Sequence, residues 1–320
     1  MPDRPLIVIA LGGNAISKPD EEGNVGQQFA NSANTARQLA DLVEAGNQLV
    51  ITHGNGPQIG NFMLRNEVAA RAIYPLPMEV AVAHVQGGMG FMIAQTLTNE
   101  LARRGHDQIA ITFVTTILVD AADPDFSSPS KPVGTVFNAE EADYHREEGW
   151  HIKEIAPGQF RRVVPSPKPL KIMEIASIRR AVEGGDLVIA CGGGGIPVVR
   201  KPYAGLRGTA AVIDKDLASA LLATELDCDT IVFLSTVECV ALDFGKPTQR
   251  NIERMTIAEA QRWLDEGQFP VGSMGPKVQG AINFLTGSSK LHARAIIGHL
   301  SHAADVLAGT TGTLIVKDGS

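Results

Sequence analysis

Short β-branched runs alternate along the chain with longer stretches whose apolar positions repeat at helical spacing. Residues 6–11, 48–53, 109–115, 187–191, 230–235, 295–297 and 314–316 are brief and apolar on both alternating faces, and read as buried strands. Between them, Ala36, Leu39, Ala40 and Val43 fall at i, i+3, i+4 and i+7, as do Val278, Ala281, Ile282 and Leu285, so each set lines one helical face. Strand–helix alternation of this kind predicts an α/β fold, an open sandwich whose mostly parallel central sheet is covered by helices on both sides. Residues 120–169 break the rhythm, being rich in proline and without a clean period. A stretch of that length inside a compact domain is functional or carries a small structure of its own, so a protruding subdomain or lid is expected over 121–168.

Composition narrows the function. The chain has 320 residues, 44% hydrophobic and 20% charged, enough to bury a substantial core and to exclude disorder as its organising feature. A net charge of −7 argues against a general binder of nucleic acid or of anionic membranes, both of which need a broad positive face. Cys191, Cys228 and Cys239 form no CxxC pair, which fits reduced thiols. The leading apolar run, 6–11, is too short for a signal-peptide core, and no stretch approaches the ~20 apolar residues of a membrane span. A cytoplasmic location is therefore expected.

The chemistry concentrates in strand-to-helix turns. The first strand runs into Gly12, Gly13 and Asn14, and the second into Gly54, Asn55 and Gly56. At the carboxyl ends of strands in an open α/β sheet, such turns present backbone N–H groups to an anion. Either loop alone fits a plain tight turn equally well. A third glycine run, Gly192 to Gly195, precedes Ile196 and Pro197; proline keeps Ile196 out of the α region, so no helix starts there. Neither a helix-opening GxGxxG nor a GxxxxGK[ST] occurs, so the two commonest nucleotide fingerprints are absent. Lys131, Lys215 and Lys277 each sit beside glycine, proline or acidic residues; gathered together they could neutralise a polyphosphate, while singly each could be a solvated surface lysine. Asp214 and Asp216 could equally cap the helix that follows them. His292, His299 and His302 could share one area, but with no HExxH and no carboxylate at a matching interval they read as structural or surface residues. No GxSxG nucleophile elbow is present.

Taken in order, 8–15 (VIALGGNA), 52–58 (THGNGPQ), 128–134 (SPSKPVG), 161–169 (RRVVPSPKP), 192–197 (GGGGIP), 212–216 (VIDKD), 244–247 (FGKP) and 272–277 (GSMGPK) resemble the carbamate kinases of the amino-acid-kinase superfamily, essentially end to end. The resemblance implies a single domain over 1–320, with a carbamate-side lobe over 1–210 that includes the 121–168 protrusion and a nucleotide-side lobe over 211–320. It implies a homodimer that interconverts ATP plus carbamate with ADP plus carbamoyl phosphate, with Mg²⁺ carried mainly by the nucleotide and no protein metal site. Nucleic acid and membranes are not implied as partners. By the same resemblance, Gly12, Gly13 and Asn14 would meet the transferring phosphoryl group, and Gly54, Asn55 and Gly56 the carbamate. Lys131, Lys215 and Lys277 would supply positive charge, Asp216 would orient the lysines, and Asp214, Phe244 and Met274 would lie on the nucleotide side. Related acyl-phosphate kinases carry a lysine where this chain has Ala10, which places the charge requirement on Lys131 or Lys215. Segments 85–91 and 235–239 match the family pattern more loosely. The competing readings are an acid kinase for an amino-acid carboxylate, a nucleotide-binding regulator without turnover, and a nicotinamide-dependent oxidoreductase, the last weakened by the missing fingerprint.

Overall fold

A computed structural model of the chain describes residues 4–18 and 20–319, apart from the side chain of Asn14. Its centre is an eight-stranded sheet in the order Arg254–Thr256, Thr313–Val316, Arg294–His299, Thr230–Ser235, Leu6–Leu11, Gln48–His53, Leu187–Ile189, Ala110–Thr112. Neighbours are parallel from Arg294–His299 to Ala110–Thr112. Thr313–Val316 runs antiparallel to Arg294–His299 and carries Arg254–Thr256 parallel to itself at the edge.

Strand alternation divides the core into two layers. Ile7, Ile9 and Leu11 face one, while Val8 and Ala10 face the other, and none of the five is more than 1% exposed. Helices Val25–Glu44 and Met78–Arg103 cover the first layer through Ala36, Leu39, Met89 and Ile93. Helices Lys215–Glu225 and Met274–Gly287 cover the second through Leu222, Val278 and Phe284. Burial on both faces is why these strands carry no polar alternation in the sequence. Local signals set the first helix: Asn24 accepts the Gln27 amide at 3.1 Å while the Gln27 side chain accepts the Asn24 amide at 3.1 Å, closing a capping box.

One expectation needs correction. The strand expected over 109–115 is split, because only Ala110–Thr112 joins the central sheet. The chain then enters a four-stranded sheet as Thr116–Val119, beside Pro169–Ile172 and Ile196–Lys201, with Gly205–Gly208 at the edge. At the break, side chains replace ladder partners: buried Gln86 accepts the Thr115 amide and donates to the Gly192 carbonyl at 2.8 Å, and the Thr115 hydroxyl accepts the Cys191 amide at 3.0 Å. Residues 120–169, aperiodic in sequence, contain a three-stranded antiparallel sheet of Lys131–Phe137, Gln159–Val164 and Ile152–Ala156 together with helix Ala139–Glu147. Its strands are short and interrupted by register shifts, which erases the period-two signal. Among the described residues, no helix is long and apolar enough to cross a membrane.

Phe284 is fully buried in the layer that packs helix Met274–Gly287 onto the sheet. Phe284→Ala should lower the unfolding free energy by about 3–5 kcal/mol, measured as a drop in the denaturant midpoint at unchanged slope.

Candidate active site

Strand order reverses between Leu6–Leu11 and Thr230–Ser235: from the first strand the chain moves to Gln48–His53 on one side, and later segments build outward on the other. In open α/β sheets this switch point leaves a crevice at the strand carboxyl ends. Here a cleft of about 730 Å³ opens there, lined by Gly12, Gly13, Gly54, Asn55, Lys131 and Lys215 among others. That volume is in the range of small-molecule sites.

Backbone proximity builds its floor. The Gly12 amide donates to the Leu234 carbonyl at 2.9 Å, tying the first glycine loop to the strand across the switch point. A β-carbon on Gly54 would stand 3.2 Å from both the Gly13 nitrogen and Cδ of Lys215, so the two glycine loops and the lysine stem meet at van der Waals distance. Helix Gly56–Ala69 begins directly after Asn55, with Pro57 in its first turn, and Gly56 and Pro57 line the cleft.

Cations gather above that floor. Asp214 caps helix Lys215–Glu225 by accepting the Asp216 amide at 2.9 Å, and its other oxygen pairs with the Lys131 ammonium from the small sheet. Asp216 does not cap; one of its oxygens pairs with Lys215 and the other with Lys277 at 3.1 Å. Lys277 also donates to the Ser273 carbonyl at 3.2 Å. Asp216 is 3% exposed and Lys277 8%. Burial alone would push the Asp216 carboxyl up, but the two ammonium groups beside it hold it below the usual carboxylate range, so it stays ionised. Burial pulls the Lys215 ammonium down, with Lys277 adding to that and Asp216 opposing it. Three lysines against two carboxylates leave one net positive charge at the cleft.

Lys215 is fixed from below: the Thr52 and Ser219 hydroxyls are 2.6 Å apart, and Ser219 donates to the Lys215 carbonyl at 2.6 Å, which ties the helix start to the second strand. Lys277 is brought close by Gly280 one turn on, where a β-carbon would lie 2.9 Å from the Asp216 carbonyl oxygen. Only glycine permits the two helices that close an approach.

The third glycine run closes the rear wall. As expected no α-helix starts there; Gly192–Gly194 form a 3-10 turn and Ile196–Lys201 a strand. Gly193, Gly194 and Gly195 all have positive φ, and a β-carbon on Gly194 would sit 2.1 Å from the Ile213 carbonyl oxygen. Buried His53 and Asn55 pack against Gly192 and Gly193. The His53 Nδ1–H donates to the Gly54 carbonyl at 3.1 Å, whereas its Nε2 and the Asn55 Nδ2 have no protein partner.

The structure thus brings together Gly12, Gly13, Gly54, Asn55, Gly56, Lys131, Asp214, Lys215, Asp216 and Lys277, and places Phe244 and Met274 on the same cleft, Phe244 at an exposed rim. The backbone of Asn14 lies in the 3-10 turn Gly13–Ala15, but its side chain is outside the described residues. Sequence reasoning missed Ser235, Thr236, Leu300 and Ser301 on the cleft walls, and the buried neutral role of His53. Position at a strand end, next to the second glycine turn, was the available signal for His53. His292 does not join the other two histidines: it precedes Arg294–His299 and lines a separate hollow, whereas His299 ends that strand on the cleft.

Comparison with known proteins adds an independent line. Residues 5–294 match the amino acid kinase family. The carbamate kinase of Pyrococcus horikoshii is 42% identical over 318 residues, covering 98% of this chain and 99% of its own. That of Thermococcus kodakarensis is 44% identical over 317 residues, with 98% and 99% covered. Among solved structures, the carbamate kinase from Giardia lamblia bound to AMP-PNP is 38% identical with a TM-score of 0.91, over 99% of this chain and 100% of that one. N-acetylglutamate synthase from Neisseria gonorrhoeae shares the fold alone, with 14% identity and a TM-score of 0.57 over 98% of this chain and 62% of its own.

His53 provides a test of the buried wall. Burial, with the Lys215 charge adding to it and the Gly54 bond opposing it, pushes the imidazole down to about 4 from 6.5. Between those values the unfolded chain takes up a proton that the native state refuses, so stability should fall as pH drops below about 6.5, by ~1.4 kcal/mol per pH unit. Urea unfolding at pH 7 and pH 5 should give a loss smaller by about 2 kcal/mol in His53→Asn than in the parent; equal losses would assign the acid sensitivity to other groups.

Proposed function

The chain belongs to the amino acid kinase family, among its carbamate kinases, and from that premise we propose how the cleft carries out the phosphoryl transfer. It is a phosphotransferase, interconverting ATP plus carbamate with ADP plus carbamoyl phosphate. The observation that carries the site assignment is the convergence of Lys215 and Lys277 on Asp216 beside two touching glycine loops.

Carbamate is already an oxyanion, so its attack on the γ-phosphorus needs no general base, and catalysis rests on position and charge. Backbone amides of Gly13 and Asn14 receive the transferring phosphoryl group, and Gly12, whose own amide is held by the Leu234 carbonyl, fixes the loop beside it. Gly54, Asn55 and Gly56 hold the carbamate, and the unpartnered, buried Nδ2 of Asn55 supplies a donor that a substrate oxygen satisfies. Lys215 and Lys277 neutralise charge as it moves between bridging and terminal oxygens, and Asp216 keeps both ammonium groups aimed. Lys131, held by Asp214, adds a third cation from the 121–168 subdomain, which serves as a lid that excludes water. Phe244 and Met274 flank the adenine.

Asp214 and Asp216 are both engaged by lysines, which fits a Mg²⁺ ion that arrives on nucleotide oxygens and keeps its waters instead of taking protein carboxylates. When bound, the ion neutralises phosphate charge. The carbamate-side lobe spans 1–210 and the nucleotide-side lobe 211–320. A homodimer is supported by the exposed apolar side chains Val80 and Phe91 on helix Met78–Arg103, and a cytoplasmic location by three unpaired cysteines.

ATP formation from ADP and carbamoyl phosphate with Mg²⁺ tests this reading. The parent should turn over, and Lys277→Ala and Lys215→Ala should each lose about 10²–10³-fold in kcat. Normal turnover in either variant removes that lysine from the mechanism; a parent that binds ADP yet forms no ATP points to another acyl acceptor.

A further inference from the structure

Strands Thr230–Ser235 and Arg294–His299 leave the central sheet side by side, with Ser235 in register with His299. That register brings the loop after Ser235 alongside His299, and the 3-10 turn Leu300–His302 folds His302 back over it. Glu238, His299 and His302, distant in sequence, therefore meet: one ligand atom from each lies within 4.8 Å of the others. The two imidazole rings are 5.7 Å apart, and Nδ1 of His302 is 3.5 Å from a Glu238 oxygen. The carboxylate absent at any matching interval in the sequence comes from a neighbouring strand end.

We infer that Glu238, His299 and His302 form a binding site for one divalent transition-metal ion of the zinc class, separate from the Mg²⁺ that travels with the nucleotide. Two imidazoles and a carboxylate, with a fourth position open to water, are a donor set that suits zinc; magnesium and calcium favour oxygen ligands alone. Bonds of ~2.1 Å in tetrahedral geometry place ligand atoms about 3.4 Å apart, so the trio must close by little more than 1 Å. Its members can do so, because Glu238 and His302 are exposed and His299 is only partly buried. The bond exchanged is weak: His299 Nδ1 accepts the Ser301 amide at 3.2 Å in an exposed turn, and the ion either takes that lone pair or draws Nε2 inward. As an ion pair, the exposed His302–Glu238 contact contributes little stability by itself.

Location gives the site a consequence. Thr236, Val237 and Cys239 flank Glu238, and Leu300 and Ser301 lie between the histidines, and all five line the cleft. An ion held by both segments fastens two cleft walls together.

The test uses the full chain, freed of metal by chelator and without nucleotide. Titration with Co²⁺, followed by visible absorption, and with Zn²⁺, followed by calorimetry, should give one ion per chain, with Zn²⁺ displacing Co²⁺ and excess Mg²⁺ displacing neither. E238Q and H302Q replace exposed side chains, and circular dichroism checks that both fold. Each should weaken Zn²⁺ at least tenfold and change the Co²⁺ spectrum. Absence of stoichiometric binding overturns the site, as does an isotherm unchanged in either variant. Because the readout is binding, the result stands apart from phosphoryl transfer.

Discussion

One buried carboxylate holding two ammonium groups is the constraint around which this molecule is arranged. Asp216 lies at the start of a helix pressed against the sheet, and without Lys215 and Lys277 its charge would be stranded in a low-dielectric interior. Conversely, Asp216 opposes the burial that pulls the Lys215 ammonium down. Buried ion pairs do little for stability compared with apolar packing of the same volume. A cluster retained at the mouth of a cleft, with one net positive charge in excess once Lys131 and Asp214 are counted, is better understood through an anion it receives.

Holding that cluster requires backbone to approach backbone. Gly280 lets helix Met274–Gly287 lie against the Asp216 carbonyl, which carries Lys277 to the carboxylate; Gly54 lets the two glycine loops and the Lys215 stem touch. The hydroxyl relay from Thr52 through Ser219 to the Lys215 carbonyl then fixes the helix start to the second strand. Charge placement is thus a property of packing in the two core layers.

Much of the central fold was legible because the signals are local. Residues 6–11, 48–53 and 230–235 are strands over those same bounds, since burial on both faces writes a continuous apolar run. The strand expected over 109–115 failed because its interruption depends on Gln86, a buried side chain far away in sequence. The small sheet within 120–169 hid behind short strands with register shifts. At the site, the glycine turns and lysines stood out as residue types, but their convergence on Asp216 did not, because a capping role for Asp214 and one for Asp216 read alike until the hydrogen bonds separated them. The trio of Glu238, His299 and His302 was illegible for the same reason: strand register, not sequence interval, brings the carboxylate to the histidines.

The cleft's positive charge is of two kinds. Lys215 and Lys277, with side chains 14% and 10% exposed, rise from the two helices packed on the sheet and share a carboxylate, so moving either would strand Asp216. Lys131, 32% exposed, comes from the first strand of a separate small sheet and pairs with a different carboxylate, Asp214, itself on the cleft wall. Separating that pair leaves the Asp216 cluster whole, and both partners can be rehydrated. A site that must accept a polyanion, shield it from water and let it go needs both kinds: fixed cations that are in place before the substrate arrives, and one on an element that can yield without dismantling the core.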